Sequence, residues 1–90
     1  MRLYDFKIAE TKGFIKVKDK IDSDLIRKVE NIVYPQLRAN PFYGTNIKKL
    51  KGKLDGYYRY RIGNYRLFYL IENEKVIVVI VDLKHRQNAY

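Results

Sequence analysis

The sequence predicts an α+β fold that ends in a three-stranded antiparallel meander. Residues 57–62 alternate between two faces, and residues 65–72 are rich in aromatic and branched side chains. Gly63-Asn64 lies between these two segments, and glycine in the first position suits a two-residue type II′ turn. A long Val/Ile strand over residues 75–83 follows a second turn, and we expect it to be central and covered on both faces.

The N-terminal half predicts one strand and two helices ahead of the meander. Residues 3–8 alternate as a first strand, and residues 9–18 form a short helix in spite of Gly13. Adding this strand to the meander gives a mainly antiparallel four-stranded sheet with two N-terminal helices packed on it.

The second helix is predicted from its cap and its apolar spacing. Asp22 or Ser23 is a good N-cap, because either side chain can accept from the first free backbone N–H groups. We expect Pro35 to kink or end the helix and Asn40-Pro41 to stop whatever continues. Its apolar stripe consists of Leu25, Val29, Ile32, Val33 and either Gln36 or Leu37.

Composition indicates a small basic globular protein. The chain has 90 residues, which suits a single domain over residues 1–90, and it is 47% hydrophobic with a formal charge of +9. It has no cysteine and one histidine, so we expect no disulfide, no metal site and no small-molecule cofactor. The longest apolar run, residues 76–81, is far shorter than the roughly 20 residues that cross a bilayer. With no signal segment at the N-terminus, we expect a cytoplasmic protein without membrane contact.

The excess positive charge is concentrated just before and within the predicted hairpin. Residues 46–66 contain seven basic side chains and only Asp55 as an acid, a net of +6, interleaved with tyrosines. Basic side chains neutralise phosphates and tyrosines can stack on bases, so this pattern favours a surface for a polyanion or an acidic protein. The alternative is a solvated face that keeps the protein soluble.

The period-two geometry of a strand puts the hairpin arginines together. Arg59 and Arg61 point to one face of the first hairpin strand, opposite the face of Tyr58 and Tyr60, and Arg66 joins them across the turn. Guanidinium groups this close repel one another, which favours a functional reason for keeping them. Three solvated arginines on an open sheet face are the alternative interpretation.

The hairpin and its flanks resemble a known family. The pattern comprises Leu50-Lys51-Gly52, the run from Tyr58 to Tyr69, a Val/Ile strand, and His85-Arg86 followed by Tyr90. In combination these residues are similar to the RelE/ParE superfamily of bacterial and archaeal type II toxins, over residues 47–90. The N-terminal half is similar only in the order and length of its elements.

The resemblance implies a curved antiparallel sheet backed by two N-terminal helices, and a toxin that a cognate antitoxin wraps and blocks. RelE-type members enter the ribosomal A site and cut mRNA there without a metal ion, which inhibits translation. ParE-type members share the fold but poison DNA gyrase. A ParE-like gyrase inhibitor and a catalytically inactive nucleic-acid-binding relative therefore stand as alternatives to the endonuclease.

The resemblance also implies site residues. Arg59 and Arg61 match the basic pair before the hairpin turn, and Arg66 matches the arginine that holds the scissile phosphate. Either Arg86 or Lys84 matches the C-terminal basic residue, and Tyr90 matches the tyrosine that orients an mRNA base.

Two further groups of candidates come from the residues themselves. Arginine is a poor general base because its pKa lies above about 12, which makes His85 a candidate for proton transfer. Contacts with the RNA backbone are expected from Lys48, Lys49, Lys51, Lys53, Lys84 and, more weakly, Tyr57. The alternatives are a phosphate-contacting or strand-capping His85, solvated loop lysines, and a frayed Tyr90 without function.

Overall fold

The structure is a computed structural model that describes residues 5–89, and its strands form one five-stranded mixed sheet. The order across the sheet is β1-β5-β4-β3-β2, with β1 parallel to β5 and every other neighbouring pair antiparallel. The strands are β1 (Lys7–Glu10), β2 (Ile47–Lys49), β3 (Tyr58–Ile62), β4 (Tyr65–Glu72) and β5 (Ile77–His85).

The α+β class is confirmed, but the prediction of four strands is wrong. The additional strand, β2, pairs with β3 through Ile47 opposite Tyr60 and Lys49 opposite Tyr58. It has three residues, two of them lysines, so it shows none of the alternation by which a strand is detected. Short length and lysines are typical of a sheet edge that resists pairing with other chains.

The first strand begins and ends later than expected. Leu3 and Tyr4 lie outside the described residues, and β1 runs to Glu10 because Ala9 and Glu10 pair with β5. The first helix, α1 (Lys12–Lys18), therefore starts after Thr11, whose side chain accepts a hydrogen bond from the Phe14 N–H at 3.0 Å. Pairing with β5 outweighs the helical tendency of these residues.

The second helical stretch has an irregular middle. It consists of α2 (Ser23–Lys28), a π-helical segment (Val29–Val33) and α3 (Tyr34–Ala39). Asp22 is the N-cap and Asn40 ends the stretch, as predicted. Pro35 does not end it: the stretch changes from π-helical to α-helical geometry directly before Pro35 and continues to Ala39.

The π segment also decides which stripe residues are buried. Val29, Val33 and Leu37 are buried, whereas Ile32 is 52% exposed and Gln36 is exposed. The extra residue in the wider turn rotates the helix surface, so a stripe drawn with α-helical spacing includes a residue that faces solvent.

The main core lies between the helices and one face of the sheet. Tyr58 and Tyr60 belong to it, as parity predicts, and the Tyr60 hydroxyl donates to Gln36 Oε1 at 2.7 Å. Tyr69 is fully buried and its hydroxyl donates to the Pro41 carbonyl at 2.8 Å. Burial raises the pKa of Tyr69 above its ordinary value. No helix within residues 5–89 is long and apolar enough to cross a bilayer.

The hairpin between β3 and β4 is placed as predicted. Ile62 pairs with Tyr65, and the two turn residues are Gly63, with φ of +57°, and Asn64, which has no positive φ. A positive φ in the first position only identifies a type II′ turn. The next strand starts two residues later than predicted, at Ile77, because a 3₁₀ turn (Asn73–Lys75) precedes it.

That next strand, β5, is not the middle strand of the sheet. It lies between β1 and β4, and the middle position belongs to β4. Its residues on the core face are buried, whereas those on the other face, such as Val79 and Val81, are only half-buried. The expectation of a strand covered equally on both faces is therefore wrong, because the sheet face away from the helices is largely open.

Candidate active site

Three cations lie side by side across the open face of the sheet. Arg61 on β3 pairs directly with Arg66 on β4, and Arg66 pairs directly with Lys84 on β5. Residues that are directly opposite in a sheet point to the same face, with Cβ atoms about 4.5–5.5 Å apart. We call Arg61, Arg66 and Lys84 the cationic row.

A β-bulge in β5 puts Lys84 in this row. The pairing of β4 with β5 shifts between Phe68 and Tyr69, so that Phe68 faces Asp82 while Tyr69 faces Ile80, and Val81 is left over. If β5 alternated regularly through Val81, the Lys84 side chain would point toward the helices. The bulge therefore exchanges the faces of the last residues of β5 and places Lys84 beside the arginines.

The two arginines of the cationic row have no acidic partner among the described residues. Arg66 is half-buried, and its Nη1 donates to the carbonyls of Tyr65 at 2.9 Å and Gly63 at 3.1 Å. These bonds fix the guanidinium over the turn and use only one of its terminal nitrogens. The Arg61 side chain is exposed and makes neither a hydrogen bond nor an ion pair within residues 5–89. Lys84 has a carboxylate nearby, at 3.7 Å from Asp82 Oδ2.

A second row of side chains lies on the open face, two residues further along each strand, and reaches the edge strand β2. It consists of Lys48, Arg59, Phe68 and Asp82, paired in that order across β2 to β5. Arg59 is held back from the surface, because its Nη1 donates to the Asn46 carbonyl at 2.8 Å. Its Nε is buried and has no hydrogen-bond partner among residues 5–89.

His85 directly follows Lys84 but starts on the opposite face of the sheet from the cationic row. It pairs with Tyr65, so its side chain starts on the helix face of the sheet, and the two rings make an edge contact with centroids 5.3 Å apart. Its Nδ1 accepts a hydrogen bond from the Gln87 N–H at 3.3 Å, capping the 3₁₀ turn Arg86–Asn88. This arrangement supports the strand-capping alternative for His85 and not a contact with a phosphate in the cationic row.

The C-terminal turn crosses from the end of β5 to the open face. The Arg86 N–H donates to the Asn64 carbonyl at 2.7 Å, which ties the turn to the hairpin. Ala89 is buried against Leu50 and Phe68 in a small cluster on that face. The candidate residue Tyr90 lies outside the described residues.

The remaining basic candidates lie in the edge strand β2 and in the segment that follows it. Lys48 pairs with Arg59 and belongs to the open face, whereas its neighbour Lys49 pairs with Tyr58 and belongs to the opposite one. Lys51 and Lys53 lie in the exposed loop after β2. Tyr57 is half-buried and packs against the small cluster of Leu50, Phe68 and Ala89.

One residue of the open face was missed by the sequence analysis. Asp82 lies opposite Phe68 and two residues from Lys84 on β5, and its Oδ1 accepts from the Leu83 N–H at 2.8 Å. The spacing Asp82-x-Lys84 in a strand places both side chains on one face, which is the signal that could have found it. Within residues 5–89 no three His, Asp or Glu side chains are grouped closely enough to hold a metal ion.

Comparison with known families gives one match over most of the chain. Residues 5–90 match the family described as the ParE toxin of the type II toxin–antitoxin system parDE. No curated protein sequence is significantly similar to the chain.

Several solved structures share the fold. The toxin–antitoxin complex RelBE2 from Mycobacterium tuberculosis matches with a TM-score of 0.82 and 25% identity, over 97% of this chain and 98% of that chain. The archaeal RelE–RelB complex from Pyrococcus horikoshii matches with a TM-score of 0.77 and 24% identity, over 93% of this chain and 98% of that chain. The intact Escherichia coli RelBE complex matches with a TM-score of 0.72 and 22% identity, over 89% and 95% of the two chains.

Proposed function

Because the chain belongs to the ParE toxin family within the RelE/ParE superfamily and is a toxin of a type II toxin–antitoxin system, we propose that it is a ribosome-dependent mRNA endonuclease. The observation that carries the proposal is the cationic row on the open face, in which two arginines have no acidic partner within residues 5–89. Like charges placed directly opposite each other destabilise a sheet. An anion bound between these cations would offset their repulsion. A backbone phosphate of mRNA has the charge and the size to occupy this place.

The reaction uses the 2′-hydroxyl of the RNA as nucleophile. The 2′-oxygen bonds to phosphorus, the bond from phosphorus to the 5′-oxygen breaks, and the products end in a 2′,3′-cyclic phosphate and a 5′-hydroxyl. The proton that leaves the 2′-oxygen balances the one that the 5′-oxygen gains. No redox partner is needed.

The protein accelerates this step through positive charge. The phosphorane formed during attack carries more negative charge than the starting phosphodiester, so fixed cations bind it more strongly than they bind the substrate. Arg66 suits this role because hydrogen bonds to the Tyr65 and Gly63 carbonyls fix its guanidinium through Nη1 alone. The other donors of its planar fork are available to a phosphate. Arg61 and Lys84 flank it on the neighbouring strands.

His85 takes a different role in this proposal. Its Nδ1 is committed to the Gln87 N–H, and its ring contacts Tyr65 on the helix side of the sheet. We therefore assign it to the positioning of the C-terminal turn, which carries Arg86 and leads to Tyr90. Tyr90 keeps its proposed role of stacking on an mRNA base.

The proposed partners follow from the fold. Solved structures similar to this chain are complexes of a toxin with its antitoxin, and we propose a cognate antitoxin here as well. With a formal charge of +9, the chain favours an antitoxin segment that is acidic where it covers the open face. Ribosome and mRNA are the proposed targets of the free toxin in the cytoplasm.

The test is induction of the wild-type chain and of Arg66→Ala in growing bacteria, with mapping of mRNA 5′ ends. We expect growth arrest and mRNA cuts that disappear when translation is blocked, and neither with Arg66→Ala at equal protein level. Cuts that persist without ribosomes would indicate a free nuclease and contradict the proposal.

Inhibition of DNA gyrase is the second candidate, and the match to the ParE toxin family favours it. A gyrase inhibitor acts through a protein interface and needs no phosphate-binding row. Growth arrest with DNA breaks and intact mRNA would support gyrase inhibition. RNA binding without cleavage would support an inactive nucleic-acid-binding relative.

A further inference from the structure

We propose that a small cavity beside the cationic row holds one nucleobase of the RNA and that Asp82 selects bases bearing an amino group, an inference that rests on the proposed function. The cavity has a volume of about 110 Å³. Its apolar lining consists of Leu54, Tyr57, Phe68, Val81 and Ala89. Asp82 and Lys84 form its polar side.

The dimensions of this cavity suit a single planar ring. Its volume is well below the roughly 300–1,000 Å³ of pockets that enclose a drug-sized ligand. The rings of Tyr57 and Phe68 are part of its wall, and unpaired bases of single-stranded RNA stack on aromatic side chains. A peptide segment or a helix would not fit into a space of this size.

The position relative to the cationic row matches the spacing within one nucleotide. Phe68 and Asp82 each lie two residues along their strand from Arg66 and Lys84 respectively, which is about 7 Å. A phosphate held by Arg66 and Lys84 therefore leaves an adjoining base within reach of the cavity.

Asp82 gives the cavity a chemical preference. Its Oδ1 accepts from the Leu83 N–H, and its Oδ2 lies 3.7 Å from Lys84 Nζ, so Oδ2 retains the capacity to accept a hydrogen bond. The side chain of Asp82 is 30% exposed and reachable from the open face. A carboxylate next to phosphate-binding cations weakens phosphate binding, because the two anions repel each other. A hydrogen bond donated by the base to this carboxylate would compensate for the repulsion.

Amino groups on bases are the donors that a carboxylate accepts from. Cytosine, adenine and guanine each present an exocyclic amino group, and Asp is a typical partner of the cytosine amino group. Uracil presents two carbonyl oxygens on either side of its single N–H, and these repel a carboxylate. The cavity is therefore expected to favour amino-bearing bases and to disfavour uracil.

The test measures binding of the full chain to two fluorescent single-stranded RNA octamers, all-cytidine and all-uridine, at low salt. We expect the wild type to bind the cytidine octamer about tenfold more tightly, the effect of one hydrogen bond to a charged group. Asp82→Asn should bind both octamers within about twofold of each other, because an amide also donates to uracil carbonyls.

The matched control is Asp55→Asn. It removes the same charge from an exposed loop residue that does not line the cavity, and it should keep the tenfold preference. Asp82→Ala, checked by circular dichroism, serves as a second variant in case the amide perturbs folding. Equal wild-type binding of the two octamers, no binding of either, or a preference that survives both Asp82 variants would overturn the proposal.

Cleavage on ribosomes is measured separately. A cytidine preference lost in Asp82→Asn, in a chain that cuts no mRNA on ribosomes, would retain the base pocket and refute the endonuclease. Cleavage on ribosomes without any cytidine preference would support the endonuclease and refute the base pocket.

Discussion

Arg66 and Lys84 lie directly opposite each other on the open face of the sheet, although they are eighteen positions apart in the chain. A bulge shifts the pairing of their two strands between Phe68 and Tyr69. On its other side Arg66 faces Arg61, so three cations occupy one line across three strands. Repulsion within this line is tolerated by the fold because the hairpin pairing and the core on the opposite face fix the strands. The arrangement is therefore prepared for an anion in the absence of one.

The first prediction concerns Arg61→Ala. Removing a charge that faces Arg66 relieves repulsion, so the free energy of unfolding should stay the same or rise by about 0.5 kcal/mol. Cleavage on ribosomes should fall by about 100-fold or more, the usual effect of losing one group that stabilises transition-state charge. Urea denaturation and single-turnover cleavage measure the two quantities. A loss of activity that merely parallels a loss of stability would contradict this interpretation of the cationic row.

The second prediction compares Lys48→Ala with Lys49→Ala. The two lysines are adjacent and exposed, but Lys48 lies on the open face opposite Arg59, and Lys49 lies on the other face opposite Tyr58. Lys48→Ala should reduce the dependence of RNA affinity on log salt by about 0.7, the contribution of one phosphate contact to a single strand. Lys49→Ala should leave that slope unchanged, and equal effects of the two variants would show that the RNA does not follow the open face.

The third prediction separates a capping His85 from a catalytic one. In His85→Asn the side-chain oxygen can accept from the Gln87 N–H in place of Nδ1, and asparagine is a favoured N-cap. We expect His85→Asn to keep cleavage within about threefold of wild type, and His85→Ala to lose about 1 kcal/mol of stability and more activity. A general acid or base would lose 100-fold or more in both variants, and that result would restore His85 to the chemistry.

The fourth prediction tests the bulge. Deleting Val81 would make Ile80 and Asp82 neighbours opposite Tyr69 and Phe68, so Leu83 should stay in the core and Lys84 opposite Arg66. Because these side chains keep their faces, we expect the free energy of unfolding to change by no more than about 1 kcal/mol and cleavage on ribosomes to persist. Val81→Thr keeps the residue count and should unfold near the wild-type urea midpoint. A deletion variant that does not fold, or that folds but has lost cleavage, would contradict the assignment of Val81 as the unpaired residue of the bulge.

The fifth prediction concerns alkaline pH. Burial, with smaller contributions from Tyr58 and Tyr60, raises the pKa of Tyr69 above its ordinary value of 10.0. Above pH 10 the unfolded chain loses this proton while the folded chain keeps it, so the unfolded state binds fewer protons and stability falls as pH rises. The contribution of Tyr69 to that slope is about 1.4 kcal/mol per pH unit.

Urea denaturation between pH 8 and 11 measures this slope. Tyr69→Phe should be less stable than wild type at pH 8, because it leaves the buried Pro41 carbonyl without its donor, but its stability should fall less steeply above pH 10. Tyr43→Phe, at a residue that is 81% exposed, controls for the substitution itself and should match wild type at pH 8. An unchanged slope in Tyr69→Phe would contradict the assignment.

The hairpin and its arginines could be predicted because local rules govern them. Gly63 supplies the positive φ that a type II′ turn requires, and the turn fixes the pairing of Ile62 with Tyr65. Strict alternation from that pair outward places Arg61 opposite Arg66 and both Tyr58 and Tyr60 in the core. The start of the second helix at Asp22 and its end at Asn40 likewise depend on neighbouring residues only.

Other features depend on contacts between residues far apart in the chain. The strand β2 exists because β3 offers it a partner, and Ala9 and Glu10 are strand residues because β5 lies beside them. The π segment rotates Ile32 into solvent, and His85 contacts Tyr65 on the sheet face opposite the cations. None of these partners can be identified from the local sequence.

By itself the sequence determined the α+β class, the hairpin and the face on which Arg59, Arg61 and Arg66 lie, since turn chemistry and period-two alternation act within a few residues. Only the tertiary structure decided that Lys84 and Asp82 share this face. Their parity depends on one unpaired residue, Val81, and a bulge is defined by the strand that it fails to match.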